Sequence, residues 1–323
     1  MLLIFVLLVA LLTDRQNCLS NQPDQHEIKQ KFVTWQSKHK ITFTNNYNER
    51  LQIFKQNDDL INYYNDKYPN LVLEHNSNSW LTAEELFGLN TDLINTNLVK
   101  TISVTDPNSF VKSIDWRNFN VVTPVANQHS CSSCWIFSTV GALESAYAIK
   151  YGGLAKLSVQ QVLDCHKSNN NVSECSEGVA ELTYHWIANN RGICLDDDYS
   201  YVSKKQHCNK MCTNVPNTNI NKYVEVNPNE IDLSYSISTQ PVAVTINIKH
   251  PIFQFYKSGI IDVECTHKPN HSVLVVGYAP SYYIVKNSWG KEFGLDGYML
   301  IKRNSTSQYG STCIAYRATY PLL

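Results

Sequence analysis

QHSCSSCWIFS, residues 128–138, places two cysteines three positions apart and follows the second at once with a tryptophan. Such a pair serves as a redox couple, as two metal ligands, or as one disulfide half beside a reactive thiol. Residues 132–150 are predicted to form a helix, because apolar residues recur on one face and glycines follow: Ile136, Val140, Leu143, Tyr147, Gly152 and Gly153. Cys134 then lies in the first turn, where the helix dipole favours a thiolate.

The composition excludes several classes of partner. The 323 residues include 27 Lys and Arg and 28 Asp and Glu, with no basic run, so nothing indicates binding to nucleic acid or anionic lipid. Residues 2–12 are apolar but too few to cross a bilayer, and they are typical of a secretory signal cleaved near Ser20. The alternative is a membrane anchor. Once the signal is removed, no membrane contact is expected.

Secretion permits disulfides, and the parity of the cysteines indicates one free thiol. Ten cysteines are present, and Cys18 would leave with the signal, so nine remain. A redox pair would need a βαβ pattern that is missing after Cys134. A zinc site would need Cys208 and Cys212, or His207, and thiolate sites are uncommon in secreted chains. Parity alone does not identify the unpaired residue.

The sequence pattern changes along the chain. Residues 24–89 have helical periodicity, residues 90–108 suit an exposed, cleavable connection, and the other nine cysteines follow. After Pro241, runs such as PVAVTINI, HSVLVVGY, YYIVK and GYMLIKR predict strands. We therefore expect a helical lobe packed against a β lobe, with a groove between them.

Residues 271–290 are predicted to form a hairpin that turns at Pro280. In that register residue 273 faces residue 287, so His271, Asn287 and Trp289 share one face of the pair. His271 and Asn287 are then diagonal neighbours within side-chain reach. Asn287 would accept the imidazole N–H and fix its tautomer, while Trp289 shields the bond. The alternative is a buried hairpin in which the two residues merely satisfy each other.

Together these residues resemble the papain family of cysteine proteases, of the cathepsin type. His271 and Asn287 follow Cys134 by 137 and 153 residues, which suits the family signature. Further matching blocks are SIDWR at 113–117, LDC at 163–165 and KNSWG at 286–290. The resemblance implies an α+β, papain-like two-lobe fold: a helical left lobe, an antiparallel β-barrel-like right lobe, a cleft between them and a helical prosegment in front.

The resemblance also implies roles for residues of the cleft. Cys134 is the nucleophile, His271 its base and Asn287 the residue that orients the base. Gln128 donates its side-chain amide to an oxyanion hole together with the N–H of Cys134. Trp289 supports the pair. No cofactor and no metal is expected.

Disulfides implied by the resemblance are Cys131–Cys175, Cys165–Cys208 and Cys265–Cys313. Cys194 and Cys212 remain, and we predict that they form a fourth bridge, which leaves Cys134 alone unpaired. Sequons at Asn171 and Asn304 are candidate glycosylation sites.

Substrate binding is expected at residues beside the cleft, which are Gly178, Val179, Ala180, Pro269 and Ala318. Their small, apolar character favours a hydrophobic substrate residue two positions before the scissile bond. The sequence departs from the family at His129, Ser132 and Glu177, where glycines are usual. A side chain at Ser132 would narrow the groove, and Glu177 would add negative charge.

The front segment resembles the prosegment of cathepsin L-like zymogens. Its residues Arg50, Phe54, Asn57, Ile61 and Asn65 recur at three- and four-residue steps and would present one docking face. An amphipathic helix of no special role is the alternative. The expected domains are a signal peptide (1–20), an inhibitory propeptide (21–107) and a mature peptidase domain (108–323).

The predicted function is that of a cysteine endopeptidase, made as a zymogen, which hydrolyses peptide bonds through an acyl-enzyme. The alternative is a catalytically silent homologue that binds proteins or peptides in the same groove. Expected partners are protein or peptide substrates, the chain's own propeptide and cystatin-type inhibitors, and the protein is expected to be a monomer. The predicted location is the secretory pathway, ending outside the cell or in a lysosome or digestive vacuole.

Overall fold

The computed structural model describes residues 25–87, 101–102, 110–166, 175, 178–266 and 268–323. The predicted signal, most of the predicted connection at 90–108, Glu177 and Asn171 lie outside these residues. Within them, no helix is long and apolar enough to cross a membrane.

The front segment supplies three helices and two short strands. They are α1 (Gln25–His39), α2 (Tyr47–Lys67), β1 (Leu71–Leu73), α3 (Ala83–Phe87) and β2 (Thr101–Ile102). Phe32, Trp35 and Phe54 join α1 to α2 in a small aromatic core. The predicted helical character is therefore found here, although the strands were not foreseen.

The helical lobe is formed by α4 (Cys134–Tyr151), α5 (Val159–Cys165) and α6 (Ala180–Asn189). Helix α4 begins two residues later than predicted, which makes Cys134 its first residue. It ends as predicted at Gly152, whose φ of +80° suits glycine and whose N–H bonds the carbonyl of Ala148 at 2.9 Å. Ile136 and Leu143 of α4 pack against Ile187 of α6 in the core of this lobe.

The β lobe contains the remaining strands, which are β3 (Ile114–Asp115), β4 (Lys222–Val226), β5 (Val242–Ile246), β6 (Tyr256–Ile261), β7 (His271–Tyr278), β8 (Tyr282–Lys286), β9 (Tyr298–Lys302) and β10 (Ala318–Leu322). Two helices accompany them, α7 (Glu230–Thr239) and α8 (Ile252–Phe255). The sheet order is β1-β6-β9-β8-β7-β5-β10-β4-β2, and β3 pairs with β7. The α+β two-lobe architecture is the predicted one.

The pairing differs in detail from a purely antiparallel barrel. β6 and β9 are parallel, and so are β2 and β4. The hairpin β7–β8 keeps the predicted register at Leu274–Lys286 and Val275–Val285, but a bulge shifts it by one residue next to the turn. The alternation of apolar and polar residues does not predict such a bulge, because the extra residue on one strand interrupts the two-residue period.

The front segment packs on the β lobe through strand β1. Leu71 and Val72 pair with Gly259 and Ser258 of β6, and the N–H of Glu74 bonds the carbonyl of Phe255 at 2.9 Å. Gly259 has a φ of +97°, and a Cβ there would lie 2.1 Å from the carbonyl oxygen of Asn70, so this position requires glycine.

Residues of the predicted docking face of α2 make two kinds of contact. Ile61 enters the core of the β lobe with Leu71 and Leu73. Arg50 instead forms an ion pair with Glu85, at 2.9 Å, and Asn57 donates to the carbonyl of Ser79 at 3.0 Å. The N-terminal residues of this face thus hold the front segment together, and Ile61, nearer the C-terminal end of α2, packs the segment on the β lobe.

This arrangement predicts that Ile61→Ala loosens the prosegment. Removal of a buried isoleucine side chain costs about 3 kcal/mol, so amide exchange of β1 should become about a hundredfold faster. Hydrogen exchange of the full chain measures this, with Cys134 replaced by alanine so that thiol chemistry plays no part. Gln52→Ala, exposed on the same helix, is the matched control. Equal exchange in the two variants would contradict the docking role of Ile61.

Candidate active site

Helix α4 presents Cys134 at its N-terminus. Among the described cysteines, Cys134 is the one outside a disulfide, and it is partly exposed. The N-cap residue, Ser133, makes no side-chain capping bond. A partly exposed thiol in the first turn faces the positive end of the helix dipole.

The other described cysteines form four disulfides, Cys131–Cys175, Cys165–Cys208, Cys194–Cys212 and Cys265–Cys313. These are the pairs given above, including the fourth. Because Cys131 is bonded to Cys175, it is neither a redox partner of Cys134 nor a second metal ligand. No cluster of metal-binding side chains occurs within the described part of the chain.

His271 and Asn287 form a buried hydrogen bond at the end of the β7–β8 hairpin. His271 Nε2 lies 2.8 Å from Asn287 Oδ1, and their exposed fractions are 5% and 3%. The backbone N–H of Ser288 also donates to Asn287 Oδ1, at 2.9 Å, which identifies that atom as the oxygen. His271 Nε2 must then carry the proton, so the other ring nitrogen, Nδ1, is an acceptor.

Trp289 lies against this pair. Its ring is 4.9 Å from the ring of His271, at an angle of 32°. The indole covers the imidazole and keeps water from the hydrogen bond. Burial lowers the pKa of His271 to about 4, and the bond to Asn287 opposes this shift.

Packing of α4 on β7 brings the helix start and the strand start together. A Cβ on Gly141 would lie 3.0 Å from Leu274 Cδ2, so the two elements are in close contact there. Cys134 precedes Gly141 by seven helical residues, and His271 precedes Leu274 by three strand residues. Each separation is about 10 Å along its element. Ser138 lies between Gly141 and Cys134 on α4, and Ser272 lies between Leu274 and His271 on β7. Both line one pocket, so the two elements lead from the contact toward the same region.

Gln128 is held by the loop of the opposite lobe. Its N–H donates to the carbonyl of Ser288 at 2.8 Å, and Ser288 Oγ donates to Gln128 Oε1 at 2.6 Å. Gln128 Nε2 donates one proton to the carbonyl of Cys131 at 3.0 Å. The amide therefore has a fixed orientation and one further N–H.

A buried polar cluster joins the lobes behind these residues. Thr123 Oγ1 donates to Glu144 of α4 at 2.5 Å and accepts from Lys286 Nζ at 3.0 Å. Burial raises the pKa of Glu144 and lowers that of Lys286 to about 8, although each charge opposes the other's shift. The cluster ties α4 to the strand end that precedes Asn287.

The expected substrate-binding residues fall into two groups. A Cβ on Gly178 would lie 2.6 Å from the Trp135 ring, and Val179 and Ala180 line the narrow pocket with Ser138 and Ser272. Pro269 and Ala318 are buried, and neither is among the residues that line this pocket.

The pocket also contains an ion pair that was not predicted. Arg317 Nε donates to Glu181 Oε1 at 2.7 Å, and Glu181 is completely buried. Each charge stands in an otherwise apolar run of sequence, which indicates that the charge is buried but does not identify its partner.

Two departures from the family pattern, His129 and Ser132, lie within the described residues. His129 is exposed and has a φ of +51°, a conformation that glycine adopts more easily, and its N–H bonds Asn127 Oδ1 at 2.8 Å. Ser132 is half-buried.

Comparisons with known proteins agree with this geometry. The model of the papain family cysteine protease matches residues 110–322. The senescence-specific cysteine protease SAG12 of Arabidopsis thaliana is 33% identical, over 94% of this chain and 93% of that protein. A recombinant stem bromelain precursor has a TM-score of 0.83 at 32% identity, covering 92% of this chain and 99% of that one.

A second solved proform is similar over the same extent. Digestive procathepsin L2 from the larval midgut of Tenebrio molitor has a TM-score of 0.81 at 30% identity, covering 92% of this chain and all of that one. The likeness thus includes the front segment as well as the two lobes. The chain belongs to the papain family of cysteine proteases.

Proposed function

We propose that this papain-like endopeptidase, made as a zymogen, uses Cys134 as nucleophile, His271 as base, Asn287 as the orienting residue and Gln128 as an oxyanion donor. The observation that carries the assignment is the buried His271–Asn287 bond at the strand end that faces the start of α4, where Cys134 lies outside the disulfides. The bond leaves the Nδ1 atom of His271 to exchange a proton with that thiol.

The reaction follows from these groups. The thiol proton of Cys134 passes to His271, and the sulfur attacks a peptide carbonyl carbon, whose oxygen becomes negative. The imidazolium then protonates the leaving amine as the C–N bond breaks, which leaves a thioester. Water, deprotonated by His271, attacks the thioester and returns the thiol.

The oxyanion would be stabilised by Gln128 Nε2 and the backbone N–H of Cys134. Ser288 orients the Gln128 amide, which supports this role because a fixed donor needs no reorganisation during the reaction. Each such donor contributes about a hundredfold or more in rate.

The front segment, which we assign to residues 21–107, serves as the internal inhibitor. Its strand β1 and residue Ile61 dock on the β lobe. We infer that cleavage between residues 106 and 112 releases the mature domain. Four disulfides and the apolar residues 2–12 support passage through the secretory pathway. Asn304 is exposed and suits glycosylation. Cystatin-type inhibitors and a monomeric state are part of the proposal.

Acidifying the purified full chain tests the proposal. We expect it to shorten itself, to cleave peptides and to incorporate a thiol-directed epoxide at Cys134. Cys134→Ala should do none of these. Ser132→Ala, on the loop just before the helix, should retain all three. A wild-type chain that neither shortens nor reacts would instead select the silent homologue.

The charge of His271 should depend on the thiol. In Cys134→Ala we expect the imidazole to titrate near pH 4, because burial opposes its charge. The unfolded chain binds that proton from about pH 6.5 downward, so the stability of this variant should fall as the pH drops toward 4. In the wild type we expect a thiolate at Cys134 to oppose this effect of burial and to raise the pKa of His271 above about 4. Histidine proton NMR of both proteins measures this, with His271→Gln for assignment. Identical titrations would contradict the ion pair.

The pocket at Val179 should admit small side chains, because Arg317 and Glu181 occupy part of it. Removal of both charges avoids leaving one unpaired. In Glu181→Leu/Arg317→Ala, we expect the kcat/KM ratio for leucine over alanine, two positions before the scissile bond, to rise about tenfold. A peptide series measures the ratio, with the alanine peptide as internal reference. An unchanged ratio would show that this pocket does not select the substrate.

A further inference from the structure

Tyr201 lies behind the proposed oxyanion hole and has no part in the mechanism above. Its ring packs edge-on against Phe137 of α4, with 4.8 Å between ring centres. Its hydroxyl oxygen lies 2.9 Å from the carbonyl oxygen of Gln128 and 2.7 Å from Ser133 Oγ. Tyr201 thus contacts Gln128, which bears one oxyanion donor, and Ser133, which precedes the residue that bears the other donor, Cys134.

The directions of these two bonds are fixed by the atoms involved. A carbonyl oxygen only accepts, so the single hydroxyl proton of Tyr201 goes to Gln128. Ser133 Oγ lies 2.7 Å from the Tyr201 hydroxyl and 3.3 Å from the carbonyl oxygen of Cys131, so we assign its proton to Tyr201, the nearer acceptor. Burial raises the pKa of Tyr201 to about 12, so the hydroxyl keeps its proton throughout the neutral range.

The bond to Tyr201 explains why Ser133 is an unusual N-cap. A serine at this position normally accepts a bond from an N–H of the first turn. Here its side chain makes no such bond, and the N–H groups of Ile136 and Phe137 use the backbone carbonyl of Ser133 instead, at 2.9 and 3.1 Å. The side chain of Ser133 contacts Tyr201 and, at 3.3 Å, the carbonyl of Cys131, rather than an N–H of the helix.

The loop between the two donors needs such a restraint. It runs from Gln128 to Cys134 and contains His129 at a φ of +51°, which is costly for a residue with a Cβ. The disulfide at Cys131 holds its middle, and Tyr201 holds both its ends.

We propose that Tyr201 is a positioning residue of the oxyanion hole, and that its hydroxyl sets the spacing between the Gln128 amide and the backbone N–H of Cys134. The inference rests on the proposed function, because it presumes that these two groups bind the oxyanion. Tyr201 itself does not touch the substrate. Its effect should therefore appear in turnover and not in thiol reactivity.

Tyr201→Phe tests this, since the ring stays on Phe137 and only the two hydrogen bonds are lost. We expect kcat per titrated active site to fall about tenfold, less than for loss of a donor itself, with KM within about twofold of the wild type. Alkylation of Cys134 by iodoacetamide needs no oxyanion hole, so its rate and pH profile should not change. A general structural defect would lower both reactions.

Tyr199→Phe is the matched control. Its hydroxyl bonds Asp164 at 2.8 Å, away from the loop, so kcat should match the wild type. Ser133→Ala provides a second variant in case Tyr201→Phe does not fold. It removes the donor to Tyr201 together with the longer contact of Ser133 Oγ to the carbonyl of Cys131, at 3.3 Å, and we expect kcat to fall about threefold with alkylation unchanged. Unchanged kcat in the folded variants, or an equal loss in alkylation, overturns the proposal.

A double-mutant cycle separates this inference from the proposed function. In Gln128→Ala one donor is already absent, so adding Tyr201→Phe should lower kcat by no more than about twofold. A further tenfold loss would show that Tyr201 acts independently of Gln128 and would overturn the inference. An inactive wild type would refute the proposed function, whereas an active wild type with an equally active Tyr201→Phe would refute only the role of Tyr201.

Discussion

Helix α4 is buried on two opposite sides, and this double burial positions Cys134 relative to strand β7, which begins with His271. Ile136 and Leu143 face the helical lobe, while Gly141 and Ala142 face Leu274 of the β lobe. Because Gly141 has no side chain, α4 approaches β7 closely. A slip of one residue along the helix axis would move Cys134 by about 1.5 Å. Misplacement by about 1 Å can cost a hundredfold in rate, so the interlobe contact is as much a part of the site as the reacting groups.

The seam between the lobes is polar where it passes behind the reacting groups. Thr123 can donate to Glu144 and accept from Lys286 at once, because a hydroxyl has one proton and two acceptor positions. Burial of both charges is unfavourable by itself, as the opposite shifts in their pKa values indicate. Directional bonds between buried charges restrict how two surfaces can meet. We interpret the cluster as a restraint on the angle between α4 and β8.

Local patterns predicted much of this structure. Helix α4 and its end at Gly152, the strands β5, β7, β8 and β9 and the contact of His271 with Asn287 follow from periodicity and from hairpin alternation, whereas β6 and β10 were not predicted. Parity of the cysteines required one free thiol, but only the resemblance identified it as Cys134. The bulge in β7–β8 and the parallel pairing of β6 with β9 depend on distant residues and leave no local pattern.

The site was predicted best where its residues are close in sequence or match a motif. Arg317 and Glu181 are 136 positions apart. The two apolar runs that contain them carry no pattern that would predict which residues of one run lie next to which residues of the other. Tyr201 is likewise 73 positions from Gln128. Polar contacts of this kind arise from the folded surface as a whole, and a single charge or hydroxyl in a run of sequence does not indicate its partner.

The front segment covers both ends of the strand order of the sheet. Strand β1 pairs with β6 at one end of the sheet and β2 pairs with β4 at the other, so both ends of the strand order come from the front segment. An uncovered strand edge presents unpaired N–H and C=O groups, which favour association with other chains. Both edges carry charge, with Lys257 on β6 and Lys222 and Glu225 on β4. Charged edge residues discourage unrelated strands, so the charges on β6 and β4 would limit association at these edges in the proposed mature form, which lacks β1 and β2.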